Sequence, residues 1–286
     1  MVTMLQTFWQ DLTEYGFWRN AVIGGFLISI VCSWLSVYVV LRSMAFIGQG
    51  ISHSALGGFA LGILIFGGGA ATVLQVDSVA LIFCLCVAAM IALVSNHTKI
   101  SEDSAIGIFF VASMAMGAIF LRMAPGYNQD VYSYLFGSVL AVTKEQIYLI
   151  AGLGVMVIVP MIVLHKELFY YTFDEEMARV SGIPVTWLHL LLLGLMSVTI
   201  ILSSRIIGVL LVSAFLILPG ATAQLMTQSF RKMIIYSVLV GVLTTLAGII
   251  LSTATDWPTG STIVLSQFLL FILTFGISKW LGKTVV

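Results

Sequence analysis

The side chains best suited to chemistry in this sequence lie together in residues 48–54, GQGISHS. The imidazole of His53 and the carboxamide of Gln49 stand four residues apart there, inside an apolar stretch over residues 44–66. Neutral imidazole is a favoured ligand for first-row metal ions such as Zn²⁺, and a carboxamide oxygen can add a weaker, uncharged ligand. Residues i and i+4 are neighbours on a helix, so Gln49 and His53 would share one face. Ser52 borders that face, where its hydroxyl can support a ligand without binding the ion itself.

The position of His53 within apolar sequence has two interpretations. In lipid, an ionisable side chain is costly unless it faces protein or a water-filled path. His53 therefore either lines a route for cations or forms only a hydrogen bond to a neighbouring helix. Two ligands on one helix cannot hold a metal ion for long, but a second copy of the chain, related by a twofold axis, would double them. Such weak binding suits a transit site, which must bind an ion and then release it.

The composition indicates the class of protein that positions these residues. The chain has 286 residues, of which 60% are hydrophobic and 8% are charged, whereas a soluble domain has about 25% charged residues. This pattern predicts an all-α fold, a polytopic membrane bundle of eight or nine transmembrane helices in a single domain over residues 1–286. A formal net charge of zero gives no basic face for nucleic acid. Residues 1–20 mix aromatic and charged side chains, which suits an interfacial helix or a frayed aromatic anchor equally.

A helix needs about 20 mostly apolar residues to cross the hydrocarbon. Nine segments meet this requirement, and some of them can be broken or partly re-entrant, which would leave eight complete spans. The nine segments are residues 21–41, 44–66, 79–95, 104–123, 146–165, 187–203, 206–226, 233–252 and 261–281.

Basic residues predict the orientation of these spans. With the N-terminus outside and the C-terminus inside, eight basic residues fall on the cytoplasmic side and four on the outer side, which agrees with the positive-inside rule. The inner eight are Arg42, Lys99, Lys166, Arg179, Arg231, Lys232, Lys279 and Lys283, and the outer four are Arg19, Arg122, Lys144 and Arg205. If Arg42 marks the cytoplasmic boundary, a rise of about 1.5 Å per residue puts Gln49 roughly 10 Å deep and His53 roughly 16 Å deep, near the midplane.

Residues 172–186 are too polar to cross the membrane and predict a short cytoplasmic helix. Thr172 or Asp174 can cap it, and the acids that follow suit the positive end of its dipole. Gly182 and Pro184 end it. An apolar edge of Phe173, Met177 and Val180 recurs at helical spacing. Such a helix suits docking into a groove on a soluble motor, and it equally suits a solvated connector.

Two further groups of residues carry weaker signals. Pro219, inside the segment 206–226, predicts a helix kink, because proline removes an intrahelical hydrogen bond. That kink either lines a path or serves helix packing. His97, His165 and His189 lie in a loop or near predicted cytoplasmic ends, which is typical of surface histidines.

Six segments in order resemble one family. They are LRSMAFIGQGISHSALGG (41–58), SEDSAIG (101–107), YLFGSVLAVT (134–143), FDEEMARVSGIP (173–184), LLVSAFLILPGATA (210–223) and DWPTGSTIV (256–264). Together they resemble the permease subunit of zinc, manganese and iron ABC importers of the ABC-3 type. Each motif is modest alone, but the ordered set covers nearly the whole chain.

This resemblance implies a homodimeric permease in a bacterial inner membrane. It implies two ATP-binding cassette subunits below, an extracytoplasmic metal-binding protein above, and a transported Mn, Zn or Fe ion with no permanently bound cofactor. It also implies that the short polar helix couples the permease to the ATPase. The coupling residues would be Phe173, Asp174, Glu175, Glu176, Met177, Arg179 and Gly182.

The chain departs from the family pattern at two positions. Gln49 stands where the family usually has aspartate, so the site lacks a carboxylate that would hold a divalent cation. Gln49 would then bind the ion in transit more weakly or favour a different metal. Alternatively, Gln49 is an engineered substitution. Gly57 stands where many members have proline, which leaves the local helix geometry open.

The motifs that are absent from the sequence also bear on function. The chain has no Walker lysine motif, so ATP would be hydrolysed by a partner. It has no HExxH or GxSxG pattern, which disfavours an intramembrane enzyme. The alternative to an ABC permease is a secondary metal transporter or channel without a motor. That alternative predicts ionisable coupling residues within several spans, and few are seen.

Overall fold

The computed structural model describes residues 16–66, 72–124, 137 and 143–280. Over these residues the chain is helical and contains no strand. The helices are α1 (Gly16–Leu41), α2 (Ala45–Phe66), α3 (Val73–His97), α4 (Glu102–Met123), α5 (Lys144–Val163), α6 (His165–Phe173), α7 (Glu175–Val180), α8 (Val185–Ile207), α9 (Val209–Phe215), α10 (Leu218–Met226), α11 (Phe230–Thr255) and α12 (Thr259–Trp280). The expected interfacial helix over residues 1–20 falls mostly on residues 1–15, which lie outside the described residues.

Eight of these helices are long and apolar enough to cross a membrane, namely α1, α2, α3, α4, α5, α8, α11 and α12. Each corresponds to one of the nine predicted segments. The all-α, polytopic class predicted from the sequence is therefore confirmed. The agreement arises because a membrane span needs only sufficient length and low polarity, and both can be read from the sequence.

The remaining predicted segment, residues 206–226, is wrong as one continuous span. It forms two short helices, α9 and α10, which follow the end of α8. Gly208 has a φ of +94°, a backbone conformation that ends α8 before α9 begins. Pro219 lies in the first turn of α10, where its missing N–H would have no intrahelical acceptor in any case. Pro219 thus starts a separate helix and does not kink a continuous one.

A serine on another helix satisfies the backbone at this break. The hydroxyl of Ser36, on α1, lies 3.3 Å from the carbonyl oxygen of Ile217 and donates to it. The backbone N–H of Gly220 donates to the same hydroxyl oxygen over 2.9 Å. Unpaired backbone groups inside a membrane protein are tolerated where a neighbouring side chain bonds them. Ser36 therefore explains why the chain can break between α9 and α10.

The helices divide into two compact units. The first comprises Met1–Arg42, Tyr132–Ile158 and Leu202–Val286, and the second comprises Ser43–Val131 and Val159–Ile201. The single permease domain expected over residues 1–286 stays a prediction. The second unit contains α2, α3, α4, α6 and α7 with most of α8, so it holds all the predicted site residues except Pro219.

Glycines of α2 allow its neighbours in the second unit to approach closely. A Cβ added to Gly57 would lie 2.6 Å from the backbone oxygen of Ser113 on α4, and one added to Gly58 would lie 2.7 Å from the Cα of Ala80 on α3. Small residues permit this contact between backbones in membrane helices. The helix α2 also runs without interruption through Gly57. The proline that many family members are expected to carry there is thus not needed for the path of this helix.

We expect Gly57→Ala to destabilise the protein, because its new methyl group would meet backbone rather than a movable side chain. Overpacking of this kind costs about 1–3 kcal/mol, which corresponds to a fall in Tm of roughly 3 °C or more. Thermal unfolding of the detergent-solubilised chain measures it. Gly152→Ala on α5 is the matched control, since a Cβ there meets no atom within 4 Å. Equal Tm values for the two variants would contradict the close approach of α2 and α4.

Candidate functional site

Helix α2 places the predicted site residues on different sides. Gln49 is exposed and His53 is half-buried, one turn apart on the less buried side of the helix. Ser52 is fully buried. The structure thus brings Gln49 and His53 to one face and separates Ser52 from them. The supporting role expected for the Ser52 hydroxyl stays a prediction.

A small cavity of about 70 Å³ lies beside Gln49, between α2 and α4. It is lined by Phe46, Gln49, Gly50, Ile106, Gly107 and Phe110. Among these residues Gln49 has the only polar side chain, so its carboxamide is the one side-chain group in the lining that can bind a cation. A water molecule needs roughly 10–15 Å³ of such space, so the cavity has room for several waters or for an ion with part of its hydration shell.

His53 lies next to this cavity but does not line it. Its ring packs edge-on against Phe110, with the ring centroids 5.0 Å apart and the planes at 74°. Phe110 therefore contacts both the imidazole and the cavity. Edge-to-face contacts between aromatic rings favour a defined orientation, so Phe110 helps to hold the imidazole in place.

Neither ring nitrogen of His53 has a hydrogen-bond partner within the described part of the chain, and the same holds for the carboxamide of Gln49. By contrast, Ser54 on the same helix donates to the carbonyl oxygen of Gly50 over 2.8 Å. Of the two interpretations of His53, a bond to a neighbouring helix has no support among these residues.

The polar segment after α6 forms the short helix α7. Asp174 caps it, because its carboxylate oxygen Oδ1 accepts a hydrogen bond from the backbone N–H of Met177 over 2.9 Å. Thr172, the other expected cap, instead lies within α6 and donates to the carbonyl oxygen of Leu168. Gly182, with a φ of +79°, follows the end of α7, as its position in the sequence predicts. Glu175 in the first turn pairs with Arg179 in the last turn at 3.3 Å.

An apolar surface accompanies α7, and we call it the α7 edge. It consists of Phe173, Met177 and Val180, whose exposed fractions are 56%, 58% and 83%. Side chains of this type are normally covered when they are grouped, and an exposed group of them marks an interaction site. The α7 edge therefore offers an apolar contact beside the acidic first turn of the helix.

The structure brings together one group of polar residues that the sequence pattern did not indicate. His189, expected to be a surface histidine, has a side chain that is only 18% exposed. Its Nδ1 lies 2.9 Å from the Tyr171 hydroxyl, and its Nε2 lies 3.4 Å from Oε1 of Glu102. The three residues are far apart in the chain and form no motif, so only the fold reveals that they meet.

Metal-binding side chains do not cluster within the described part of the chain. No group of three or more His, Cys, Asp or Glu side chains that could hold a metal ion occurs among the residues that the structure describes. Among the described residues of α2, His53 has the side chain best suited to bind a metal ion, and Gln49 lies one turn before it.

The sequence profile of the ABC 3 transport family matches residues 14–278. The chain belongs to this family. The resemblance predicted from the ordered motifs is confirmed, and the protein is a multi-pass permease subunit of an ABC transporter.

Similar proteins of this family carry names that refer to metal transport. The manganese transport system membrane protein MntC of Halalkalibacterium halodurans is 35% identical, over 98% of this chain and 96% of its own length. A probable iron transport system membrane protein of Haemophilus influenzae is 32% identical, over 93% of this chain and 95% of its own length.

A solved structure has a similar fold. It is PsaBC from Streptococcus pneumoniae in complex with Fab, with a TM-score of 0.84 and 30% sequence identity, covering 95% of both chains. This likeness supports the helical permease fold over nearly the full length of the ABC-3 chain.

Proposed function

We propose that this chain is the permease of an ATP-driven importer of divalent transition-metal ions, and that His53 and Gln49 line the ion's path. The observation that carries the proposal is the free state of the imidazole and the carboxamide among the described residues, on the less buried side of a membrane-crossing helix. Polar groups at that depth are costly in lipid unless they face protein or a water-filled cavity. The relatives named for manganese and iron transport support a first-row divalent cation as cargo.

A second copy of the chain completes the site in this proposal. One chain supplies an imidazole nitrogen and a carboxamide oxygen, which are too few ligands for a transition metal. A twofold axis beside the exposed face of α2 would bring two of each around one ion. All four ligands are neutral, so the ion would be held weakly and released readily. The same pairing would cover Phe46, which is 51% exposed beside Gln49.

ATP-binding cassette subunits and a metal-binding protein are the other partners in the proposal. We assign α7 the role of coupling helix, because it presents the α7 edge and two first-turn acids, Glu175 and Glu176, on the predicted cytoplasmic side. Two such helices in a homodimer would each contact one ATPase subunit. An extracytoplasmic metal-binding protein would deliver the ion to the opposite face.

Reconstitution tests this function. The permease is purified with its ATPase partner, placed in proteoliposomes with the metal-binding protein at the outer face, and supplied in parallel with radioactive Mn²⁺, Fe²⁺ and Zn²⁺. We expect uptake of at least one ion that needs ATP and is lost when the Walker lysine of the ATPase is replaced by alanine. Uptake that proceeds equally without ATP would instead support the motor-independent transporter, and no uptake of any of these ions would overturn the proposal.

The neutral side chain at position 49 gives a separate prediction about retention. Gln49→Asp adds a carboxylate next to the cavity, and we expect the purified complex to retain Mn²⁺ about tenfold more tightly, because a charged oxygen ligand attracts a divalent cation more strongly than a carboxamide does. Elemental analysis after gel filtration measures the retained metal. Gln75→Asp adds the same charge at an exposed site on α3. Equal retention by both variants would contradict a role for position 49.

A further inference from the structure

A polar chain links three helices of the second unit on the side of α7. Tyr171 on α6 is 1% exposed, and its hydroxyl lies 2.9 Å from Nδ1 of His189 on α8. On the other side of that ring, Nε2 lies 3.4 Å from Oε1 of Glu102 on α4. One neutral tautomer suits all three groups, because the tyrosine hydroxyl can donate to Nδ1 while Nε2–H points at the carboxylate.

The Tyr171 end of this polar chain adjoins α7, the helix that we propose contacts the ATPase. Tyr171 lies three residues before Asp174, the residue that caps α7. The backbone N–H of Asp174 donates to the carbonyl oxygen of Tyr170 over 2.9 Å, so α7 begins directly at the last turn of α6. Because Tyr171 lies in this last turn of α6, we expect a displacement of α7 to shift the Tyr171 hydroxyl as well.

The other end of the chain adjoins the cavity. Glu102 lies in the first turn of α4, and Ile106 and Phe110 follow it at intervals of four residues, so the three share one side of the helix. Ile106 and Phe110 both line the cavity beside Gln49. Phe110 also contacts the ring of His53. A tilt or rotation of α4 at Glu102 therefore changes the wall that faces the proposed ion path.

Stability is a poor explanation for the Glu102 end of this polar chain. The Glu102 side chain is 41% exposed, and polar contacts to exposed carboxylates contribute little to folding. Hydrogen-bonded side chains that link packed helices are, by contrast, a recognised carrier of energetic coupling between distant sites.

We infer that Tyr171, His189 and Glu102 are positioning residues that transmit the movement of α7 to α4 and so to the wall of the ion cavity. The inference rests on the proposed function, since it takes α7 as the ATPase contact and the cavity as part of the ion path. It adds the physical connection between them. None of the three residues needs to touch the ion.

The test compares three variants of the polar chain with three control variants, each of which alters a similar side chain elsewhere. Tyr171→Phe, His189→Gln and Glu102→Gln each remove one member of the chain. Their controls are Tyr170→Phe, His97→Gln and Asp103→Asn, which alter exposed side chains outside the chain. Metal uptake, ATP hydrolysis, recovery of the ATPase subunit and Tm are measured for the complete complex in proteoliposomes or detergent.

We expect each variant of the polar chain to lower the number of ions moved per ATP about fivefold, while ATPase recovery stays at the wild-type value, because the coupling and not the assembly is impaired. Loss of the buried Tyr171 hydroxyl should lower Tm by only a few degrees, since one hydrogen bond contributes little to the free energy of unfolding. The controls should stay within about twofold of wild type. The double variant Tyr171→Phe/Glu102→Gln should move no fewer ions per ATP than the more affected single variant, because both substitutions interrupt the same polar chain.

Three results would overturn the inference. They are uptake per ATP equal to that of the controls, losses that multiply in the double variant, or losses explained fully by a lower ATPase recovery. Failure of the proposed function is seen separately, in wild-type vesicles that show no ATP-driven uptake. If wild type transports and His53→Ala does not, normal coupling in Glu102→Gln removes only the inference about the chain.

Discussion

Replacing His53 with alanine is expected to abolish ATP-driven metal uptake, with a loss of at least about tenfold, since imidazole is a favoured metal ligand and this one lies beside the cavity. The complex should still assemble. His53 forms no hydrogen bond among the described residues and is only half-buried, so its removal leaves no buried polar partner unpaired. Initial rates of radioactive Mn²⁺ uptake into proteoliposomes, together with ATPase recovery, measure both parts of the prediction.

The control for this result is another histidine of the second unit. His97 is exposed at the end of α3, where its Nδ1 lies 3.0 Å from the carbonyl oxygen of Leu93. His97→Ala should therefore transport at the wild-type rate. Wild-type uptake by His53→Ala would remove this histidine from the path. A loss of the ATPase from the same variant would assign His53 to assembly instead.

Truncation of the α7 edge is expected to separate the permease from its ATPase. Met177→Ala and Val180→Ala together remove two exposed apolar side chains but keep helix-forming residues in α7. Apolar anchors at an interface contribute about 2 kcal/mol when they are important, so recovery of the ATPase in a pull-down should fall more than about tenfold. Uptake should fall with it.

Two further variants define what this result means. Val155→Ala/Met156→Ala removes the same pair of side chain types from α5, where both residues are 59% exposed, and should leave ATPase recovery unchanged. Charge reversal by Glu175→Lys/Glu176→Lys should also reduce recovery, because it opposes the dipole of α7 as well as any basic partner surface. Full recovery with both α7 variants would refute its assignment as the coupling helix.

The fold was predictable wherever length and polarity alone determine the structure. The eight complete spans follow from apolar runs of sufficient length. The start of α7 was predictable to within two residues, because Thr172 and Asp174 both suit a cap before two acids, and the structure selects Asp174. Each of these features depends on residues that are near one another in the chain.

The break between α9 and α10 was not predictable, because residues 206–226 are as apolar as a true span. The break depends on Ser36, which lies far away in the sequence and bonds to Ile217 and Gly220. Pro219 indicates an interruption there, but the sequence analysis predicted a kink, whereas the structure shows the start of a new helix. A proline within apolar sequence is compatible with both a kinked helix and the first turn of a new one.

The candidate site was partly predictable. Residue type and spacing placed Gln49 and His53 on one face of α2, which the structure shows as the less buried side. The same spacing could not show that Ser52 is fully buried, or that Phe110 of α4 contacts the imidazole. The sequence could not show that His189 is largely buried, because its partners Tyr171 and Glu102 lie on two other helices.

The central claim is that the His53 imidazole binds the transported ion, and electron spin-echo spectroscopy of bound Mn²⁺ tests it most directly. Nitrogen-14 modulation in the echo decay reports an imidazole ligand on the metal. The Gln49→Asp complex, which should retain Mn²⁺, is predicted to show this modulation, and Gln49→Asp/His53→Ala is predicted to lack it. Equal nitrogen modulation in both complexes, or none in the first while Mn²⁺ is bound, would contradict the claim.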